Sequence, residues 1–312
     1  MKILDGKIVR EKIADKLITL NSKLETKPKL VIIQVGDLAE SNTYIRQKVL
    51  FGEKIGAVVE HQKLDEKISQ ENLSSILLTL NSNPSVHGII VQLPIPKHLD
   101  KNALIDSINP AKDVDGQTPT NIKLLLEGSS SSHPEHSEGS LDSSPAKRGQ
   151  NDSSKSPGFI PATTKGILTL LDYYKIPVSG KNITVVGRSS LVGKPTALAL
   201  INRDATVTVC HSQTKNLAQV TKNADILIVA VGKTNLITAD HVSKGQVVID
   251  VGINVIDDGQ SSIENSRKKI IGDVDFENVA KIVAAITPVP GGIGPLTVAS
   301  LFENLLKAHS QT

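Results

Sequence analysis

The sequence predicts an α/β protein of two domains, each built around a parallel sheet. Three observations carry this reading. Short β-rich apolar runs alternate with amphipathic helical patterns along nearly the whole chain, as they do where helices cover both faces of a sheet. Two such arrays are separated by a stretch too polar to join either core. The 312 residues suffice for two separate cores.

Taken in chain order, an N-terminal helix is expected from about Gly6 to Leu24, followed by the apolar run "KLVIIQV" at 29–35. A helical pattern then contains "SNTYIRQK", residues 41–48, before the strands "AVVEHQKL" at 57–64 and "HGIIVQL" at 87–93. Residues 127–158 are crowded with Ser, Gly, Pro and mixed charge, and Leu141 is their one large aliphatic residue. Such a segment cannot bury enough apolar surface to offset its ordering entropy, so a disordered insert is expected. His133 and His136 stand there at metal-like spacing, but without the companion ligands that a metal site needs. The second array reads "NITVVG", "ATVTVC", "DILIVAV", "QVVIDVG" and "KKIIGDV". A last helix, from about Pro295 to His309, is expected to pack back on the first domain.

Composition narrows the function classes. With 35 basic and 32 acidic side chains, the net charge of +3 sets up no large field of one sign, which argues against nucleic acid or a membrane surface as partner. The single cysteine, Cys210, excludes an intrachain disulfide, and "MKILDGKIVR" lacks the apolar core of a signal peptide. A cytoplasmic protein is expected.

The chemistry is expected at strand ends. "ITVVGRSSLVGKPTALAL", residues 183–200, runs strand, glycine turn, helix, and backbone amides at that helix start suit a pyrophosphate. The next strand ends in His211 and Ser212, where an NAD site offers a carboxylate to the ribose. Arg188 and Ser212 suit a 2′-phosphate instead, which points to NADP. "AVGK" at 230–233 and "DVGIN" at 250–254 place glycines just past strand ends, either as ligand loops or as plain tight turns. "TPVPGGIGPLT", residues 287–297, makes a rigid loop free of bulk, fit for close approach to a flat ligand. In the first array, Gln92 ends a strand, and Asp113 and Asp115 follow in "NPAKDVDG". Tyr44 and Lys48 are four residues apart and share one helix face, as ordinary surface or as an aromatic platform beside an amine.

"TYIRQK", "VQLPIP", "KDVDG", "VVGRSSLVGKP", "CHSQT", "NADILIVAVGK", "DVGIN", "GDVDF" and "TPVPGGIGPLTVASLFEN" resemble, in order and spacing, the bifunctional methylenetetrahydrofolate dehydrogenase/methenyltetrahydrofolate cyclohydrolase family. The resemblance covers nearly the whole chain apart from the insert. It implies a folate-binding catalytic domain (1–126 plus 286–312), an NADP-binding Rossmann-like domain (159–285), a cleft between them, tetrahydrofolate substrates and a homodimer. By the same resemblance, Lys48 is the catalytic lysine, Tyr44 lies against the folate rings, Gln92 bonds Lys48, and Asp115 holds the pterin. Val91, Gln92 and Leu93, with Pro290, Gly291, Gly292, Ile293 and Gly294, line the folate side. Gly187, Arg188, Ser189, Ser212 and Ile253 contact NADP. No metal is implied.

Three departures stand out. The family reads Pro-Cys-Thr-Pro where this chain has "PATTKG", with Ala162 and Thr164 replacing the cysteine and second proline; Thr234 replaces a proline after "AVGK"; and the insert ends only a few residues before "PATTKG", a segment that frames the cleft. A lysine acting as base near neutral pH needs a pKa about three units below its usual 10.4, roughly 4–5 kcal/mol; an exposed lysine cannot reach it, whereas desolvation in a ligand-closed cleft together with the cationic methenyl group pushes that way. Two rivals remain. Short-chain dehydrogenases also carry Tyr-x-x-x-Lys, but their nucleotide-binding glycines precede the pair, whereas Gly187 follows it here. The other is an NADP-binding protein of the same fold without turnover.

Overall fold

The computed structural model describes residues 1–128, 158–257 and 268–311. The predicted disordered stretch falls almost wholly outside these residues, as do His133 and His136.

The chain opens with β1 (Lys2–Ile3) and α1 (Gly6–Asn21), the latter capped by the Asp5 carboxylate on the Lys7 amide at 2.7 Å. There follow β2 (Lys29–Val35), α2 (Ala39–Lys54), β3 (Val58–Leu64), α3 (Gln70–Ser82), β4 (Gly88–Val91), α4 (Lys101–Asp106) and α5 (Pro119–Leu126). β2, β3 and β4 form a parallel three-stranded sheet in the order β3-β2-β4. β2 is apolar on both faces because helices cover both, and Leu30, Val31, Ile32 and Ile33 are fully buried.

The second half holds α6 (Ala162–Tyr173), β5 (Asn182–Val186), α7 (Gly193–Ile201), β6 (Thr206–Cys210), α8 (Leu217–Lys222), β7 (Ile226–Val229) and β8 (Val247–Asp250). After β9 (Asn254–Asp257) and β10 (Lys268–Ile271) come α9 (Phe276–Val279), β11 (Ala285–Ile286) and α10 (Ile293–His309). The large sheet runs β1-β11-β8-β7-β5-β6, all parallel.

One sequence expectation needs correction. "KKIIGDV" does not extend the parallel array: β10 pairs antiparallel with β9 as a separate ribbon. Its exposed Ile270, and Val255 paired with it across the ribbon, show why: these apolar residues line a cleft rather than a covered sheet. The N-terminal "KI", two residues and so too few to show a period, also forms an edge of the second sheet.

α10 does pack back on the first half. Phe302 meets Phe51 of α2 with ring centroids 5.4 Å apart, and both side chains are fully buried. Through α1, α6 and α10 one apolar interior runs from Leu30 and Ile90 of the first sheet to Ile183 and Ile228 of the second. Truncating an anchor such as Phe302 to Ala costs about 3–5 kcal/mol. Among the described residues no helix is long and apolar enough to cross a membrane.

Candidate active site

A cleft of about 570 Å³ lies where α1 and α2 face the carboxyl end of β8, the β9–β10 ribbon and the loop leading into α10. Tyr44 and Gln47 line it from α2, and Lys7, Arg10 and Glu11 from α1. Asp250, Ile253 and the run Pro290 to Gly294 form the opposite wall. Thus Tyr44, Ile253 and all five residues of the 290–294 loop share one cavity. Tyr44, 39 % exposed, offers its ring to a ligand.

One helical turn beyond Tyr44, Lys48 enters the protein. Its Nζ donates to Gln92 Oε1 at 2.8 Å, and Gln92 Nε2 donates to the Leu93 carbonyl at 2.8 Å, which fixes the amide's orientation. The strand ladder holds Gln92 in turn, through its amide on the Ile33 carbonyl at 2.8 Å. Burial pushes the Lys48 pKa down, and only the nearby Asp115 charge opposes this. Burial raises the Asp115 carboxyl to about 6 despite Lys48, with Asp113 adding to the rise. Each group thus moves toward its neutral form, as acid–base work near pH 7 requires. Val91 is packed into the core beneath, so its side chain is not available to a ligand.

The Asp115 loop is held from three directions. Asp113 Oδ2 accepts the Thr118 amide at 2.7 Å and Asn121 Nδ2 at 2.8 Å. Asn304 of α10 donates to the carbonyls of Val114 at 2.9 Å and Ile160 at 3.0 Å. The Asp115 carbonyl accepts the amide of Ala162, the first residue of α6, at 3.2 Å.

On the other sheet, Gly187 ends β5 with φ 123°, and a Cβ there would collide with the Ala230 carbonyl. A Cβ at Gly193 would collide with the Gly187 carbonyl, so the 187–193 turn closes tightly on itself. The helix-start amides read from the sequence as a phosphate site are already used. Ser189 Oγ accepts those of Val192 at 3.2 Å and Gly193 at 3.4 Å, and the Ser189 carbonyl accepts that of Lys194 at 3.0 Å. The amides of residues 188–191 have no acceptor among the described residues. With exposed Arg188 they suit a phosphate group, and Ser212 is exposed just past β6. None of Gly187, Arg188, Ser189 and Ser212 lines the 570 Å³ cleft; of the expected cofactor contacts, only Ile253 does.

Sequence reading missed four side chains. Lys7 and Arg10 stand in the cleft wall, and Arg10 stacks over Phe51 at 4.9 Å while its buried Nε has no partner among the described residues. A basic residue on a helix carries no local sign of such a position. Asp250 and Asp273 hold strand-end loops together, and the quoted "DVGIN" and "GDVDF" contained the signal without revealing that the two motifs meet.

Residues 4–115 match the tetrahydrofolate dehydrogenase/cyclohydrolase catalytic domain, and residues 161–312 match the NAD(P)-binding domain of the same family. The chain is 42 % identical to the bifunctional protein FolD of Nautilia profundicola, over 99 % of this chain and 97 % of that one. The crystal structure of the FolD dehydrogenase/cyclohydrolase from Campylobacter jejuni superposes with a TM-score of 0.86 at 40 % identity, covering 100 % of this chain and 99 % of the other. The Trypanosoma brucei dehydrogenase-cyclohydrolase, solved with NADP and an inhibitor, gives 0.86 at 31 % identity over 99 % and 97 % of the two chains. With matches over both halves and this identity over its full length, the chain belongs to the tetrahydrofolate dehydrogenase/cyclohydrolase family.

Proposed function

We propose that this protein oxidises 5,10-methylenetetrahydrofolate to the 5,10-methenyl form with NADP and then hydrolyses that product to 10-formyltetrahydrofolate. The observation that carries the reading is the Lys48–Gln92–Asp115 constellation, a desolvated amine oriented by an amide and set beside a carboxyl whose pKa is raised to about 6. The catalytic unit comprises residues 1–126 with 286–312, lending β1 and Ile286 of β11 to the cofactor sheet, and the cofactor unit residues 159–285.

Both reactions act on the carbon that bridges two nitrogens of the reduced folate. Tyr44 supports the flat ring system, Asp115 holds the pterin, and the Pro290–Gly294 loop closes the far side. Lys7 and Arg10 supply positive charge in the same cleft for the substrate's carboxylate tail. The turn at 187–191, with Arg188 and Ser212, fits NADP through its unpaired amides and guanidinium. NADP, when bound there, accepts the hydride that leaves the methylene carbon. In hydrolysis Lys48 takes a proton from the attacking water as its oxygen bonds to the methenyl carbon, and the bond from that carbon to one ring nitrogen breaks as the nitrogen is protonated. Gln92 keeps the neutral amine in place without restoring its charge. We place this chemistry in the cytoplasm, in a homodimer.

The test is a spectroscopic assay of methylenetetrahydrofolate oxidation with NADP, followed by decay of the methenyl absorbance. Formation and then loss of that absorbance supports the reading. NADP binding without methenyl formation would leave a binding protein of this fold.

A further inference from the structure

Asp250, at the end of β8, and Asp273, just past β10, are 3 % and 0 % exposed. Each packs on the other's glycine. A Cβ at Gly252 would fall inside the Asp273 carboxyl group, and one at Gly272 inside that of Asp250. The patterns Asp-x-Gly at 250–252 and Gly-Asp at 272–273 are therefore one interlocked feature, which neither motif reveals alone.

Their hydrogen bonds reach four segments. Asp250 Oδ1 accepts the amides of Gly252 at 2.9 Å and Asp273 at 3.1 Å, and Oδ2 accepts that of Val274 at 2.9 Å. Asp273 Oδ2 accepts the amides of Val231 at 2.7 Å and Gly232 at 2.9 Å. Its Oδ1 accepts the Lys233 amide at 2.8 Å and Asn254 Nδ2 at 3.0 Å. Behind them, the Asp250 amide donates to Thr287 Oγ1 at 2.8 Å, at the base of the loop that lines the cleft.

Three successive amides converging on one point make an anion-binding nest. Here the protein's own Asp273 carboxylate fills it, so residues 231–233 cannot hold a cofactor phosphate. They do something else. Ala230 donates to the Val186 carbonyl at 2.8 Å, and its own carbonyl lies against Gly187, so this loop is the floor of the 187–193 turn. Through Asn254 the same carboxylate fixes the segment that carries Ile253 into the cleft.

We propose that Asp273, backed by Asp250, is a positioning residue for hydride transfer, holding the floor of the cofactor turn and the Ile253 segment in register with the 288–294 loop. This rests on the function proposed above. Both oxygens of Asp273 are acceptors, so an asparagine must turn its NH₂ against two N–H donors, and the loop must move to relieve that.

The test compares the parent with Asp273→Asn and Asn254→Ala. NADP affinity is read by titration calorimetry, and both activities are read separately, the cyclohydrolase on the methenyl substrate without cofactor. Losing charge-assisted hydrogen bonds predicts that Asp273→Asn binds NADP about 10- to 100-fold more weakly, with a lower dehydrogenase kcat. Its cyclohydrolase kcat stays within about threefold of the parent, because Lys48, Gln92 and Asp115 belong to the other wall, while its KM for the methenyl substrate rises with any shift of Ile253 and the 290–294 loop. Asn254→Ala, which removes one donor and leaves the carboxylate on its three amides, weakens NADP binding about two- to fivefold.

Unchanged NADP affinity and dehydrogenase kcat in Asp273→Asn would overturn the proposal. So would a parallel fall in cyclohydrolase kcat, which would make the residue general scaffold. Should Asp273→Asn lack the parent's circular dichroism, Asn254→Ala decides alone, and parent-like NADP affinity in it rejects the idea. The calorimetry reads loop position with or without turnover. A parent that binds NADP without oxidising substrate thus rejects the functional reading and still tests this one, and a parent that binds none overturns both.

Discussion

Lys48→Met isolates the amine from the side chain that carries it. Methionine keeps much of the length and the apolar stem, while the 2.8 Å bond to Gln92 Oε1 is lost. That leaves the carbonyl of an almost buried Gln92 short of a donor, at about 1–3 kcal/mol. Burying an amine against its own hydration no longer opposes folding, so the two effects offset in part, and a melting shift of a few degrees is expected. The kinetic consequence is larger. Oxidation expels a hydride and requires no proton from the methylene carbon, so only lost positioning lowers it, by about tenfold or less. Hydrolysis requires a proton taken from water and another delivered to nitrogen, work that contributes about 10² to 10⁴ in rate, or roughly 3–5 kcal/mol of barrier. Methenyltetrahydrofolate should therefore accumulate during oxidation by the variant. Both rates are measured on purified protein whose circular dichroism matches the parent. Cyclohydrolase activity near the parent level would remove Lys48 from the mechanism, and equal collapse of both rates would reduce it to a binding residue.

Asp115 predicts a pH dependence of stability. Its folded pKa of about 6 lies above the usual 3.8, so the native state holds this proton more tightly than the unfolded chain does. The stabilisation is complete below the unfolded value and is lost as pH rises through about 6. The melting temperature of the parent minus that of Asp115→Asn should accordingly shrink from pH 4 to pH 7. Removing the charge that supports protonated Lys48 acts with the same sign, and a gap that widens with pH would refute the assignment. Arg188→Ala should raise the Michaelis constant for NADP about 10- to 100-fold while altering use of NAD far less, and equal losses would reject the 2′-phosphate contact. Replacing residues 128–157 with a short Gly/Ser link should leave melting temperature and both activities nearly unchanged. The flanks are anchored independently, Leu125 by Asn202 Nδ2 at 2.6 Å on one side and Gly158 by Lys307 Nζ at 3.1 Å on the other, and loop length costs only about 0.6 kcal/mol per doubling. A marked fall in either activity would show that the segment bears on the cleft.

What was legible in the sequence was whatever has a local signature. β2, β4, β5 and β7 announce themselves as short runs of branched apolar residues because both their faces are covered, and α10 follows a proline-glycine loop that no regular element could occupy. Tyr44 and Lys48 could be set on one face because the helical period does so without help from the rest of the fold. What stayed hidden depends on contacts distant in sequence. β1 is a strand only because β11, more than 280 residues later, offers it an edge. Asp250 and Asp273 look like ordinary strand-end acids until each is seen resting on the other's glycine. At the start of α7 the spacing of the glycines is legible, but that the hydroxyl of Ser189, three residues before Val192, accepts the first amides is not.

The departures from the family pattern follow from the same distinction between side chain and backbone. Position 162 contributes to the cleft through its amide, which donates to the Asp115 carbonyl, and alanine supplies that amide as cysteine would. Position 164 falls in the first turn of α6, where a helix leaves its N–H groups without internal partners, so replacing proline by threonine breaks no ladder bond. The threonine adds a hydroxyl to a fully buried site, which would be costly alone. Thr196 of α7, equally buried, answers it with its own hydroxyl at 3.0 Å, one of the two donating to the other across the helix pair that joins the catalytic half to the cofactor turn. Thr234 lies exposed, directly after the amides gathered by Asp273, so the loop it follows is held by that carboxylate and not by a proline ring. At 162 the amide that reaches the Asp115 loop is therefore retained, at 164 the added hydroxyl finds a buried partner, and at 234 the neighbouring loop is held by Asp273.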